Sequence, residues 1–401
     1  MFEFGPIVRT LWRNKTGAIL IIIQTALTLG IVANAAFVVD QRRQIIERPT
    51  GIDDQHLFSL QLAPLSETSF SYQDVQRDLH EIRRLPGVID ASFSNTSPLS
   101  NSGSSSDMTN EEDPQKPMAA MVDLYSTDSH GLNTLGLTLL SGRFLEEQEV
   151  TASSSFEDGS NSIKAVVLSR SLADKLYGKD VDPTGKLLNG LPVVGVVASA
   201  MVSYVAPGYT DGVAFIPRFA TNYPPNYVIR CQPQQCEQLM VKVPELLEKL
   251  DPNRMVRNVR TMADNKHNSY RRDRSMVVMM TATIILVSAV TGLGIVGLTL
   301  LWVNQRRKQI GIRRALGATQ LAIIRYFLLE NVVITGIGIV VGVIISLAIN
   351  QLMVQHYSMT ALPVSYLLSG MVAVWLLGLL AALMPAWRTI RISPALATRN
   401  I

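Results

Sequence analysis

The chain has 401 residues, 47% of them hydrophobic and 17% charged, with a formal net charge of +4 and a mean hydropathy of +0.21. Low charge with positive hydropathy excludes intrinsic disorder, collagen and a highly charged coiled coil. Two cysteines exclude a disulfide scaffold and a four-cysteine zinc site. The basic balance admits nucleic acid as a partner only until the position of the charge is known.

Residues 1–17 carry Arg9, Arg13 and Lys15 among Ile7, Val8, Leu11 and Trp12, the pattern of a helix lying at a membrane interface. An uncharged run occupies 18–39. Its basic approach and Ala33-Asn34-Ala35 resemble a cleavable signal peptide, but the run stays apolar through Val39, which favours an uncleaved signal-anchor. Further uncharged runs cover 275–303, 332–353 and 366–384. Each exceeds the roughly 18 residues needed to cross hydrocarbon as a helix. The expectation is four transmembrane α-helices, at 18–39, 275–303, 326–353 and 366–384.

Between the first and second spans lies an insertion, 40–274. Strand patterns at 56–62, 164–168, 192–197 and 213–217 alternate with helical patterns at 72–85, 169–177 and 238–250, which predicts an α+β domain. Two polar stretches, 92–117 and 151–162, read as loops. They bracket 118–149 and suggest two subdomains with crossing connections. Cys231 and Cys236 enclose four residues; in an oxidising compartment they can form a local disulfide, and otherwise two thiols. No histidine lies near them, so no metal site is expected.

Basic residues in short segments give the orientation. Arg306, Arg307, Lys308, Arg313, Arg314 and Arg325 occupy 304–325 without an acid, and Arg388, Arg391 and Arg399 follow the fourth span. The loop 354–365 carries no formal charge. This asymmetry predicts cytoplasmic termini, a cytoplasmic 304–325 segment and an insertion on the periplasmic side. The insertion holds all the acidic residues except Glu3 and Glu330. The basic isoelectric point is therefore topogenic, and nucleic acid loses its support.

No catalytic constellation emerges. Asp182-Pro183-Thr184-Gly185-Lys186 has neither the leading glycine nor the trailing hydroxyl of a phosphate loop and reads as a β-turn. Glu330, the one acid near lipid, is a functional candidate by position, or else an interfacial residue near Arg325. Ser288 with Gly292, and Gly338 with Gly342, permit close helix approach, either within the chain or to a second copy. In 304–330, Ile310, Arg313, Arg314 and Gly317 suit a short amphipathic helix stopped by Gly317, with Thr319 capping the helix that follows.

That segment, with Gln309-Ile310-Gly311-Ile312-Arg313-Arg314-Ala315-Leu316-Gly317-Ala318-Thr319, resembles the signature of the FtsX-like permeases, the MacB-type membrane subunits of ABC transporters. The likeness extends to Leu11–Lys15, to Val166–Ser169, to Asp182–Lys186, to Val193–Val197 and to Pro385–Arg388 with Ile392–Pro394. Gln309 stands where the family usually has Glu, and 395–398 replaces its acidic ending. The resemblance implies a non-catalytic permease with no cofactor of its own, ATP being bound by a separate ABC ATPase. That ATPase would engage Arg306, Arg307, Gln309, Gly311, Arg313, Arg314, Ala315 and Gly317. It also implies a second permease copy or paralogue and, for an exporter, a periplasmic adaptor and an outer-membrane channel. A lipoprotein-release permease and a transmembrane regulator of a periplasmic partner share the same architecture.

Overall fold

The computed structural model describes residues 15–65, 70–110, 118–154, 163–179, 181–205, 210, 212–357 and 360–390. The chain divides into two compact units, one of residues 1–44 with 273–401 and one of 45–272. The expected interfacial helix before residue 15 and the tail from 391 lie outside the described residues.

The first helix is α1 (Lys15–Glu47). The insertion begins with β1 (Leu57–Pro64), α2 (Tyr72–Arg83), β2 (Val88–Ser94), β3 (Ser104–Asn110), β4 (Met118–Ser126) and α3 (Gly131–Leu135). It continues through β5 (Leu139–Gly142), β6 (Thr151–Ser153), β7 (Val166–Ser169), α4 (Arg170–Tyr177), β8 (Leu187–Leu188) and β9 (Leu191–Val197). It closes with β10 (Val213–Ile216), β11 (Arg218–Ala220), β12 (Asn226–Cys231), α5 (Cys236–Leu250), β13 (Arg254–Thr261) and α6 (Met262–Ser269). Then come α7 (Arg271–Gln305), α8 (Arg307–Ala315), α9 (Gln320–Tyr357) and α10 (Val364–Ile390). Helices α1, α7, α9 and α10 are each long and apolar enough to cross a membrane.

The insertion is built on two large sheets. An antiparallel sheet of order β13-β1-β12-β2 carries α2 and α5 on one face. Phe58, Leu60 and Leu62 of β1 and Tyr227 and Ile229 of β12 pack there against Val75, Leu79 and Ile82 of α2 and Leu239, Val243 and Leu247 of α5. Leu57 and Val228 point to the opposite face, as the two-residue period of a strand requires. The second sheet has the order β5-β9-β7-β10-β4-β3-β8, with β8 also paired to β9. Its central strands β7 and β10 are buried on both faces: Val166, Leu168, Ala214 and Ile216 face α4, while Val167 and Phe215 face the other way. Two-sided burial explains the unbroken apolar runs at these strands.

The chain enters the first sheet, crosses to the second through β3–β10, and returns with β12 and β13. The changeovers fall near 94–104, within the first polar stretch, and near 216–226, well after the second. Residues 92–117 are not one loop. They include the end of β2 and all of β3, which pairs antiparallel with β4 from Ser104↔Leu124 to Asn110↔Met118. Strand β3 reads Ser-Ser-Ser-Asp-Met-Thr-Asn with only Met108 and Asn110 buried, so its stability comes from pairing rather than from an apolar face. Residues 111–117 and 155–162 lie outside the described residues. The other expected strands and helices of the insertion agree within two residues at each end. Asp182–Lys186 is a turn, with Gly185 at φ +86° and Lys186 N–H donating to Pro183 O at 2.9 Å. Cys231 and Cys236 are disulfide-bonded with Cα atoms 5.4 Å apart, joining the end of β12 to the start of α5.

Candidate functional site

The residues that concentrate basic charge and small side chains form a turn of helices between α7 and α9. Ile310 is buried with Val303 of α7, Ile323 and Phe327 of α9 and Ala386 of α10, which seats α8 against the spanning helices. Gly317 adopts φ +94°, and Ala318 N–H donates to Arg313 O at 3.0 Å, the six-to-one bond of a left-handed helix stop. Thr319 Oγ1 then accepts from Ala322 N–H at 3.3 Å, capping α9.

This seating divides the candidate residues. Arg306 donates through Nη1 to Glu330 Oε2 at 2.8 Å and Oε1 at 3.1 Å. Their side chains are 11% and 2% exposed. Glu330 is therefore paired with Arg306 rather than lying near Arg325 at the interface, and Arg306 turns inward instead of toward a partner. Gly311 is also buried within the chain, so it packs α8 onto its own neighbours and offers no surface for close approach. Gln309, Arg313, Ala315 and Gly317 are exposed. The side chains of Arg307 and Arg314 lie outside the described set. Arg313 lies over the Tyr326 ring at 5.2 Å, a cation–π contact that fixes the guanidinium. A cavity of about 90 Å³ opens there, lined by Arg306, Gln309, Ile310, Arg313, Ile323, Tyr326 and Phe327.

On the outer side of α8 stand Ile312 at 49% and Leu316 at 83% exposure, with Ala315 between them. The spacing i, i+3, i+4 puts the three on one helical face. Of this triplet the sequence pointed to Ala315, beside the arginines, but not to Ile312 and Leu316, although their spacing is regular. The Arg306–Glu330 pair spans 24 positions and has no local signal.

The small residues of the spans separate in the same way. A Cβ on Gly338 would lie 3.0 Å from Ile22 O, and one on Gly342 3.0 Å from Ala26 O, both in α1. These glycines serve close approach within the chain. Gly292 has only Leu377 at 3.7 Å, and Ser288 is half-buried. In α7 the tight position is Gly294, whose Cβ would meet the Gln24 amide.

In the insertion, titratable side chains gather where α2, β2 and the segment after β4 meet. Arg83 Nη2 donates to Asp128 Oδ2 at 3.2 Å and to Ala91 O at 2.6 Å. His130 Nδ1 and Asp90 Oδ1 are 2.8 Å apart, and Asn133 donates to Asp90 Oδ2 at 2.8 Å. Burial pushes the Asp128 carboxyl up to about 7 despite Arg83 and His130. The hydrogen bond to Asp90 holds the His130 imidazole above its usual range, against partial burial and Arg83. For Asp90 burial acts upward, but the bonds from His130 and Asn133 outweigh it and its pKa is lowered. Among the described residues no group of His, Cys, Asp and Glu is arranged to hold a metal ion.

Four spanning helices, with a large α+β domain between the first and second, define a multi-pass membrane protein of the permease class. Residues 281–394 match the FtsX-like permease C-terminal family and 18–248 match the MacB-like periplasmic core domain. The chain belongs to this family of ABC transporter permeases, and its insertion is a periplasmic domain. Over 253 residues it is 24% identical to the pyoverdine export ATP-binding/permease protein PvdT of Pseudomonas syringae pv. tomato, covering 60% of this chain and 38% of that protein. Over 246 residues it is 26% identical to the macrolide export ATP-binding/permease protein MacB of Nitrobacter winogradskyi, covering 57% and 37%. The chain thus covers well under half the length of these relatives. The periplasmic region of MacB from Actinobacillus actinomycetemcomitans aligns with 56% of this chain and 97% of its own, at 15% identity and a TM-score of 0.33.

Proposed function

We propose that the chain is the membrane subunit of an exporter, and that an ABC ATPase docks on the outer face of α8 and drives the periplasmic domain through the spanning helices. The observation that carries this reading is the apolar triplet Ile312, Ala315 and Leu316, exposed on a helix that is otherwise anchored by Ile310, Gly311 and the Gly317 stop. Arg306 and Glu330 clamp that helix to α9, so force applied to α8 reaches the spans directly. Arg313, held on Tyr326, supplies a rim charge that favours an acidic border on the ATPase. The parity of four spans and the basic residues of 304–325 support a cytoplasmic position for α8 and for both termini. Helix α7 is the least covered of the four spans, which leaves a face for a second permease copy. A periplasmic adaptor and an outer-membrane channel complete the exporter reading, with substrate taken from the periplasm or the inner membrane.

The test replaces exposed residues of the triplet by acids. Leu316→Glu and Ala315→Glu place an unpaired charge in the docking face, at a cost of about 3–5 kcal/mol if it is buried on binding. With the cognate ATPase co-expressed, both variants should reach the membrane at normal levels. They should lose ATPase pull-down and substrate-stimulated hydrolysis by about a hundredfold or more. Arg313→Ala should act more mildly, chiefly on association rate and its salt dependence. Normal pull-down and coupling in Leu316→Glu would sink the docking reading and leave α8 as a topogenic loop.

A further inference from the structure

The titratable cluster of the periplasmic domain is a seam whose contacts join the two sheets. Arg83 of α2 and Asp90 of β2 belong to the first sheet and its helices, whereas Asp128, His130 and Asn133 follow β4 of the second. Arg83 stands between the two acids: its Nη2 reaches Asp128, and its Nε lies 3.4 Å from Asp90 Oδ1. His130 and Asn133 both cross to Asp90. Alongside, the Tyr72 hydroxyl of α2 donates to Glu147, which also accepts from Ser129. Arg230 of β12 donates to Asn133 O at 2.9 Å and to Asp53, whose other oxygen holds His56.

Where the backbone itself crosses between the sheets, the stitching is uncharged. Asn95 donates to Leu124 O at 2.9 Å and accepts from Ser126 N–H at 3.0 Å, and Asn226 donates to Asn95 O at 3.3 Å. Asp90 precedes Ser94 by four residues on β2, about 13 Å along the strand. One region of contact is thus covalent and indifferent to pH, and the other is held by groups that exchange protons. Asp128 is fully buried, and burial raises its carboxyl to about 7 despite Arg83 and His130. The bond to Asp90 raises His130. At pH 5 Asp128 is neutral and the imidazolium of His130 balances Asp90. Above neutrality Asp128 gains a negative charge that Glu147 opposes, and His130 loses its positive one.

We propose that this seam is a proton-operated latch, which joins the two sheets of the periplasmic domain in acid and releases them about their uncharged crossings as pH rises past neutral. Deprotonation strengthens one contact, that of Asp128 with Arg83. That contact is 3.2 Å long, and the same guanidinium also serves Ala91 O and Asp90. Against it stand a carboxylate enclosed without solvent and the loss of the imidazolium that answered Asp90. The insertion is periplasmic, so the seam meets the pH outside the cytoplasm. The use of the latch in transport rests on the exporter reading. Its opening needs no ATPase, so its test stands or fails apart from docking at α8.

The full chain in detergent micelles carries one spin label on the helices of each sheet, at Lys242→Cys on α5 and at Lys179→Cys just beyond α4, both exposed positions. The two native cysteines are bonded to one another, so the introduced thiols take the label. Distances from electron–electron dipolar coupling at pH 5 and pH 8 should show a longer component whose population rises about tenfold with pH. A pair on the first sheet alone, Gln73→Cys with Lys242→Cys, should give the same distances at both. Asp128→Asn keeps an acceptor for Arg83 without a proton to lose, and should hold the acid distribution at pH 8. His130→Gln should leave a rise of about threefold. Distances that ignore pH, a response that persists in Asp128→Asn, or a matching change in the pair on one sheet would each overturn the proposal.

Discussion

The periplasmic domain and the spanning helices bury polar groups by different means. In the domain, Asp78 is fully buried and receives both Nη groups of Arg254, at 2.5 and 2.7 Å, and the Tyr227 hydroxyl at 2.8 Å. Among the spans the buried polar contacts are mostly neutral. Thr28 and Thr291 hydroxyls meet at 2.6 Å, and Asn34 donates to Ser346 Oγ at 3.1 Å. Their ion pairs sit near helix ends: Arg306–Glu330 where α7 gives way to α8, and Arg42–Asp273, at 2.9 Å, between the end of α1 and the start of α7. A folded domain can surround a charge with partners on every side. Hydrocarbon tolerates hydroxyls and amides that bond across helices and confines full charges to the ends.

The sharpest way to break this comparison is to remove the acid of each pair. Asp78→Ala leaves Arg254 with only the partly exposed Asp251, 3.3 Å from its Nε, and strips the acceptor from Tyr227, at a cost of about 3 kcal/mol. Glu330→Ala should cost less, about 1–2 kcal/mol, because the long Arg306 side chain can reach headgroups and water. Denaturant titration of the purified full chain, with limited proteolysis to locate the weakened unit, measures both. Equal losses would mean that Arg306 is as enclosed as Arg254 and that the contrast is false.

A second test concerns packing. Valine at position 342 would drive methyl groups into Ala26 O and Leu29 of α1, which lie 3.0 Å from a bare Cβ. Gly342→Val should cost about 1–3 kcal/mol by overpacking. Gly297→Ala, with nothing within 4 Å of the added carbon, should be neutral or stabilising by up to about 1 kcal/mol. Thermal aggregation of the purified variants distinguishes them, and a tolerated valine would show that α1 and α9 are held apart.

Much of this architecture was legible because its signals are local. Uncharged length marked α1, α7, α9 and α10, and two-sided apolar runs marked β7, β9 and β10. Gly317 and Thr319 marked the stop and start around α8. Strand β3 was illegible because Ser104–Asn110 is polar and is a strand only by virtue of β4. The site was legible in position but not in orientation. Sequence placed Arg306 and Gly311 beside Ala315, whereas the packing of Ile310 turns the first two inward and leaves Ile312 and Leu316 outside.

An effect smaller than the loss of Asp78 is expected from pH, and it sharpens the contrast because it belongs to the domain alone. Asp128, raised to about 7 by burial, binds a proton more tightly in the folded chain than in the unfolded one. Its protonation therefore favours folding at low pH, and that contribution declines as pH rises from about 4 to about 7. His130, raised chiefly by its bond to Asp90, acts in the same direction: its contribution is complete below the unfolded imidazole pKa and is lost as pH climbs through the folded value. Asp90, lowered, behaves oppositely, but only as pH falls below the usual carboxylate range. Arg83 donates to Asp128, and Glu147 faces the cluster through Tyr72 and Ser129. Between pH 5 and pH 7.5 the domain should thus lose stability on the order of 1–2 kcal/mol. Asp128→Asn should flatten most of that slope, and His130→Gln a smaller part. Denaturation midpoints at the two pH values, measured on the full chain, supply the comparison. A slope that survives in Asp128→Asn would place its origin in another group.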